Sequence, residues 1–402
     1  MKKIREGYKM TELGEIPEEW KIKKLKDIAN ICYGKSQKEV EVDDGKYKIL
    51  GTGGVIGYTN DFLWNKQSVL IGRKGTIDKP QYIEEPFWTV DTLFYTKINE
   101  NYIAKWFYYY LDNIDLKKHN EATGVPSLSV ANLNTIRLAT PTIKEQEKIA
   151  SILSTVDEQI DNVDALIEKN KELKKGLMQT LLTKGIGHTK FKKTEIGEIP
   201  EEWSIKTIGD VINLIKSGLS RSLKDEDIGI PCIRSNNINN YKFDKSDLKY
   251  WFLEDNKGAN INDYILREGD ILVNFINSLA QIGKTCLYKD IGRPVIYTTN
   301  IFRMNLNEQI ILNKYFYYIS QTEMYNNEIK LITKPAVNQA SFTVADFKSI
   351  KISVPPINEQ IRIVSILSEV DEKVEESEEK KQKLEELKKG LMQQLLTGKI
   401  RV

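Results

Sequence analysis

The chain has 402 residues, 40% of them hydrophobic and 29% charged, which at roughly 100 to 200 residues per domain predicts two to four domains and excludes wholesale disorder. Lys+Arg 59 against Asp+Glu 57 leaves a formal charge of +2, so no global positive field declares a polyanionic partner, and any nucleic-acid contact must come from local patches. Three scattered cysteines, two histidines and no apolar run near the ~20 residues of a bilayer span argue against structural zinc, a disulfide scaffold and a membrane partner, and predict a cytoplasmic protein.

The first segment opens on TELGEIPEEW, Thr11 to Trp20. Residues 1–141 then alternate short β-type runs (QSVLIG, FWTVDTLFYTKI) with Gly, Pro and Asn punctuation and one amphipathic helix carrying KWFYYYL, which predicts a mixed α/β domain. Gly34-Lys35-Ser36 is no phosphate-binding P-loop, because Ala29 stands where its first glycine belongs. GTGGVIG fails the dinucleotide fingerprint at Ile56, so its glycines read as a tight turn. IGRKGT places Arg73 and Lys74 between glycines, where backbone could approach a phosphate, and ATGVPSLSV (123–130) follows.

Residues 142–183 read as one long helix. From Glu145 to Leu182 there is no Pro and a single Gly, enough for a rod of about 57 Å. Ile149, Leu153, Val156, Ile160, Val163 and Ile167 alternate steps of four and three, a coiled-coil seam, which then shifts phase to Leu173, Leu177 and Leu181. A helix this charged is poorly stable alone and needs a second one to pack on. Residues 184–199, with two glycines and Lys184, Lys190, Lys192 and Lys193, read as a linker.

Residues 200–355 predict a second mixed α/β domain with different surface chemistry. Gly283-Lys284-Thr285 again lacks the P-loop glycine, at Ser278. IRSNNINNYKF concentrates Arg234, Asn236, Asn237 and Asn239, residue types that read guanine and adenine edges in the major groove. TKPAVNQASF adds Lys334, Asn338, Gln339 and Ser341 just before the second long helix, predicted within 356–402 with its seam at Ile363, Leu367, Val370 and Val374. Neither half contains the Asn-Pro-Pro-aromatic loop that methylates amino groups on bases, nor a supported Ser/His/Asp grouping, so catalysis by this chain alone is not expected.

The chain is thus written twice. TELGEIPEEW returns as TEIGEIPEEW, and EQEKIASILSTVDEQID as EQIRIVSILSEVDEKVE. The offset between copies grows from 203 − 20 = 183 at the tryptophans to 359 − 145 = 214 at the glutamates, then stays constant. Insertions are confined to the α/β segments; helix length is held fixed.

This order of an IPEEW opening, a variable domain and a Pro-x-x-x-Glu-Gln helix ending in ELKKGLMQxLLT, all repeated, resembles the specificity (S) subunit of type I restriction-modification enzymes. The resemblance implies an α/β fold with two target-recognition domains separated by two long helices that pair as an antiparallel coiled coil, under an internal pseudo-two-fold repeat. It implies that each domain reads half of a split double-stranded DNA site. Its implied partners are two methyltransferase subunits and restriction/translocase subunits; S-adenosylmethionine, ATP and Mg would sit on those partners, with no cofactor bound by this chain. The weak net charge departs from a free DNA binder and implies that the assembled enzyme adds phosphate contacts. The rival reading is a two-domain coiled-coil assembly adaptor without DNA readout.

Overall fold

A computed structural model describes residues 4–255, 257–336 and 339–402. Two compact units emerge: the chain through Leu166 together with Ser377–Val402, and Ile167–Glu376. Contacts therefore divide each long helix in its middle, whereas the sequence reading set the helices apart from the domains. The reason is that both ends of each helix are buried in a domain core, as described below.

In the first unit, strands Ala29–Tyr33, Leu93–Ile98, Ser68–Gly72 and Gln81–Ile83 lie side by side in that order. Ser68–Gly72 is buried throughout. Its one polar side chain is satisfied, Ser68 Oγ donating to the Thr96 carbonyl at 2.7 Å. A second four-stranded sheet contains Phe87–Thr89, Tyr47–Gly51, Gly54–Thr59 and Glu41–Val42, with Phe87–Thr89 parallel to Tyr47–Gly51. The turn at Gly54 (φ +108°) joins two of these strands, as the glycine run predicts. The helix Ala104–Asn113 buries Trp106, Phe107 and Tyr110 in the core.

The second unit repeats this plan. Strands Ile212–Ser217, Ile301–Leu306, Ile271–Asn274 and Thr285–Leu287 keep the same order, and Ile230–Ile233 pairs parallel with Ile296–Tyr297 beside it. Asn313–Ile319 is the counterpart of the aromatic helix, and an additional helix, Glu323–Ile332, follows it. The predicted linker is folded: Phe191–Thr194 and Gly197–Pro200 form a hairpin with the register of Tyr8–Thr11 and Gly14–Pro17. Both hairpins turn at a left-handed glycine, Gly14 (φ +99°) or Gly197 (φ +108°), a conformation that replaces linker flexibility with a defined turn.

The long helices span Ile143–Leu181 and Ile357–Leu395, and their Glu-Gln motif fastens each to its domain. Gln146 accepts from the Ile103 N–H (3.0 Å) and donates to the Pro141 carbonyl (3.1 Å). Gln360 accepts from Leu312 N–H and donates to the Ile310 and Pro355 carbonyls, all at 2.9 Å. Both amides are buried, so removing either leaves orphaned backbone groups in the core.

The two helices pack together antiparallel. Asp157 meets Lys388 and Asp164 meets Lys381, each at 2.8 Å, so seven residues forward on one helix are seven back on the other. Lys174 meets Asp371 at 2.7 Å. The Asp157 and Asp371 pairs are repeat mates with the same third member. Tyr109 Oη donates to Asp157 (2.6 Å) and Tyr318 Oη to Asp371 (2.8 Å), and burial together with those carboxylates pushes both phenols up. Lys388 lies 5.5 Å above the Tyr109 ring and Lys174 lies 5.6 Å above Tyr318.

Val156, Val163, Ile167, Val370 and Val374 are buried along the helices, and Ile160 is half-buried. Ile149 and Leu153 pack into the core of the first domain, and Ile363 and Leu367 into that of the second. The seam thus doubles as the domain docking face at each helix start. Leu173, expected in the phase-shifted seam, is instead 51% exposed, as is its mate Leu387 at 50%. At the far ends, Leu181 and Leu182 enter the core of the second domain, and Leu395 and Leu396 that of the first. These buried ends fix the length of the helices.

Candidate nucleic-acid interface

Strand Ser68–Gly72 ends at a glycine for a steric reason: a Cβ on Gly72 would stand 2.0 Å from the Thr76 carbonyl oxygen. The chain folds back there through Arg73, Lys74 and Gly75 (φ +89°). Segment 123–130 lies along this loop, with Leu128 N–H donating to the Arg73 carbonyl and Gly75 N–H to that of Pro126, both at 2.9 Å. Lys74 is exposed and bridges to Ser127. Arg73 Nη1 donates to the Asp91 carbonyl at 3.1 Å, and its guanidinium stands 5.3 Å from the Tyr33 ring centre. Tyr33, 55% exposed, packs edge-on against Phe94 at 5.1 Å. Sequence reading passed over Tyr33; its signal was an aromatic residue immediately before the GK triplet.

In the second domain the equivalent strand, Ile271–Asn274, leads to Ile276–Asn277, which pairs with Ala340–Ser341, which in turn pairs with Lys334–Pro335. Lys334, Gln339 and Ser341 are exposed, and Asn338 lies outside the described residues. Lys334 Nζ stands 3.9 Å from Asp346. In both domains, therefore, the segment before the long helix returns to the loop that follows the central buried strand. The chemistry at this shared place differs. Where the first repeat has Arg73, the second has Phe275, stacked on Phe302 at 3.5 Å.

The Arg234 group divides on inspection. Asn237 is 1% exposed and structural: its Oδ1 accepts from Arg234 N–H at 2.9 Å, and its Nδ2 donates to the Asp244 and Asp247 carbonyls at 3.0 Å. Arg234 Nη2 donates to the Asp247 carbonyl (2.9 Å) and carboxylate (2.6 Å), and Asn236 Nδ2 reaches the same carboxylate at 3.3 Å. Asn237 is thus a buried structural residue, while Arg234 and Asn236 share one carboxylate. Asp247 holds one terminal nitrogen of the Arg234 guanidinium, Nη2, and Asn237 is buried beside it. Asn239 stays exposed beside a two-residue turn, Asn240 (φ +46°) and Tyr241 (φ +61°), of the type that favours hairpins.

The GK triplets are likewise structural. A Cβ on Gly34 would collide with the Val90 carbonyl, and Thr285 is buried in its strand beside Ser320. Among the described residues no group of three or more His, Cys, Asp or Glu side chains could hold a metal ion, and no helix is long and apolar enough to cross a membrane.

The sequence profile of the type I restriction modification DNA specificity domain matches residues 17–174 and again 200–386. The chain belongs to that family. Each match runs from the Pro-Glu-Glu-Trp of the opening through a recognition domain and well into a long helix. The type I restriction enzyme MjaVIII specificity subunit of Methanocaldococcus jannaschii is 27% identical over 435 residues, covering 99% of this chain and 96% of the relative. The S subunit of a type I restriction-modification system from M. genitalium shares the fold, with a TM-score of 0.64 at 17% identity over 94% of this chain and 96% of its own. A structure described under complex assembly and conformational transition of the type I R-M system aligns at a TM-score of 0.52 and 14% identity, over 96% and 99% of the two chains. Within this specificity-domain fold, sequence reading also missed a polar cleft of the second unit lined by Lys216, Arg267, Arg303, Asp263 and Asp270. Its signal is hidden because these residues come from separate strands and loops.

Proposed function

We propose that this chain is the specificity subunit of a type I restriction-modification enzyme: each recognition domain reads one half of a bipartite DNA site, and the helices set the spacer between the halves. The observation that carries this reading is the shared place found in both domains. Arg73 and Lys74 in the first, and Lys334, Gln339 and Ser341 in the second, follow the same buried strand but carry different chemistry. A common frame with unlike surfaces suits two unlike half-sites. An assembly adaptor would give no reason for that divergence.

Phosphate contacts position such a protein and base contacts specify it. Lys74 and Lys334, both exposed, suit phosphates, Lys334 with Asp346 beside it at 3.9 Å. Arg73, held from below by Asp91 and Tyr33, suits a base edge, as do the amide and hydroxyl of Gln339 and Ser341 and the exposed amide of Asn239. With a net charge of +2, the free subunit binds DNA modestly, and phosphate contacts from the assembled enzyme supply the rest.

The partners in this reading are two methyltransferase subunits, with restriction/translocase subunits joining them. Leu173 and Leu387 support a matched pair of docking sites, being repeat mates half-exposed on helices of fixed length. S-adenosylmethionine, ATP and Mg belong to those partners, and this chain supplies the address. The test exchanges Ser204 to Pro355 for the matching segment of another subunit and sequences the methylome. Only one half of the methylated motif should change; a change in both halves overturns the modular reading.

A further inference from the structure

We infer, resting on the specificity-subunit reading, that Val125 and Leu279 are specificity-determining residues, each packing on the 5-methyl group of a thymine in the half-site its domain reads. Among the described residues of the first unit, Val125 is the most exposed large apolar side chain, at 67%. Leu279, at 69%, is among the three most exposed of the second unit. Both stand beside the place that the two domains share.

Each is held at the tip of a loop tied at its neck. In the first domain the loop runs from Asn120 to Ser127. Glu121 N–H donates to the Ser127 carbonyl at 3.1 Å, and Asn120 Oδ1 accepts from the N–H groups of Ala122 (3.1 Å) and Ser127 (2.9 Å). Gly75 N–H fixes this loop to the Arg73–Lys74 turn through the Pro126 carbonyl. In the second domain the loop runs from Asn274 to Lys284. Asn274 N–H donates to the Lys284 carbonyl at 3.0 Å, and Gly283 N–H to the Asn274 carbonyl at 2.7 Å. Within it, the N–H groups of Gln281 and Ile282 both donate to the Ser278 carbonyl at 3.0 Å, a turn that presents Leu279 to solvent. Asn277 pairs with Ala340, so Leu279, two residues on, lies at the Gln339 end of the three-stranded sheet.

The two loops come from different parts of the repeat. Val125 belongs to the segment before the long helix and Leu279 to the segment after the buried strand, yet each brings one apolar side chain to the same place. Single exposed apolar residues are common on protein surfaces. What distinguishes these two is the tied backbone beneath them. Pro126 disfavours helical backbone at Val125, and a β-branched side chain keeps few rotamers, so little freedom is left to lose on contact. Lys74 is exposed beside the first loop, and Lys334 in the sheet that adjoins the second, which suits approach to a phosphate backbone. Of the four bases, only thymine presents a methyl group in the major groove, and an apolar side chain is its natural partner.

The test uses the full chain with its methyltransferase partner, and duplexes carrying the motif found by methylome sequencing. Each thymine is replaced in turn by uracil, which pairs identically and lacks only the methyl group. One replacement in each half-site should weaken binding about fourfold, the worth of one methyl group taken out of water. Val125→Ala should weaken binding of the all-thymine duplex to a similar extent, cancel the uracil response of the first half-site and leave that of the second. Leu279→Ala should do the reverse. Both side chains are exposed, so neither variant disturbs a core. A uracil penalty that persists undiminished in the matching variant, or half-sites in which no replacement matters, overturns the inference. Absence of any defined methylated motif would instead sink the specificity-subunit reading itself.

Discussion

If the paired helices set the distance between two reading heads, lengthening them must move the half-sites apart by a calculable amount. Asp164 faces Lys381, so in the antiparallel pair the gap after Ala165 lies opposite the gap after Glu379. Inserting one heptad at both points keeps the seam in phase and adds about 10 Å. That length spans about three base pairs at 3.4 Å each. Yet a helical turn takes about 10–10.5 base pairs, so three of them rotate the second half-site by about 100° around the duplex. The one-heptad enzyme should therefore lose methylation, because its second domain meets the wrong face. Three heptads at each point add about 32 Å, close to the 34–36 Å of one turn, and should restore methylation with a spacer nine or ten base pairs longer. Both half-site sequences should be unchanged. The assay is methylation of a randomised-spacer DNA library by the subunit with its methyltransferase partner. Activity of the one-heptad enzyme on the original spacer would show that the helices do not set the distance.

Three further outcomes follow from the site. Asn237→Ala removes a buried amide that serves two carbonyls and one N–H and should cost about 1–3 kcal/mol in thermal or denaturant unfolding of the second unit; an Asn236→Ala effect of equal size would refute the assignment of the lock to Asn237. Arg73→Ala should relax one base position of the first half-site by about 1–3 kcal/mol of discrimination, whereas Lys74→Ala should weaken all sequences alike and lower the salt slope by about one; uniform weakening by Arg73→Ala would make it a phosphate contact. Burial pushes the Asp270 carboxyl up, against the Arg267 N–H and the charge of Arg303, so its stabilisation is present in acid and lost as pH rises through its folded pKa. Asp270→Asn, which keeps an acceptor for the Arg267 N–H, should then melt higher than the unaltered protein at neutral pH but not in acid, and a difference independent of pH would refute it.

The architecture was legible because it is a repeat. Equal helix lengths and the constant offset required two helices held at both ends, and Leu181, Leu182, Leu395 and Leu396 are those buried ends. Heptad spacing alone could not tell that Ile149 and Leu153 serve a domain core instead of the facing helix, since an apolar stripe does not name its partner. Nor could it show Leu173 turned outward after the phase shift. Lysines and glycines in 184–199 read as a linker because composition reports flexibility, while the hairpin there is set by the register of Phe191–Thr194 on Gly197–Pro200.

The candidate interface shows the same limit from the chemical side. Arg234 and Lys74 look alike in sequence, each a cation among polar neighbours. What separates them is a carboxylate: Asp247, thirteen residues further on, closes over Arg234, Asn236 and Asn237 in one network, while Lys74 is held through its backbone, to Thr92 and Ser127. A side chain committed to an internal acid must break that bond before it reads a base, so its discrimination would be offset by the cost of unpairing Asp247. Arg73 escapes this penalty. Its supports are a carbonyl and an aromatic ring, which fix the guanidinium without neutralising it. On the proposed reading, the side chains best placed to reach a base are thus those whose nearest partners carry no opposing charge, and only the folded chain tells which these are.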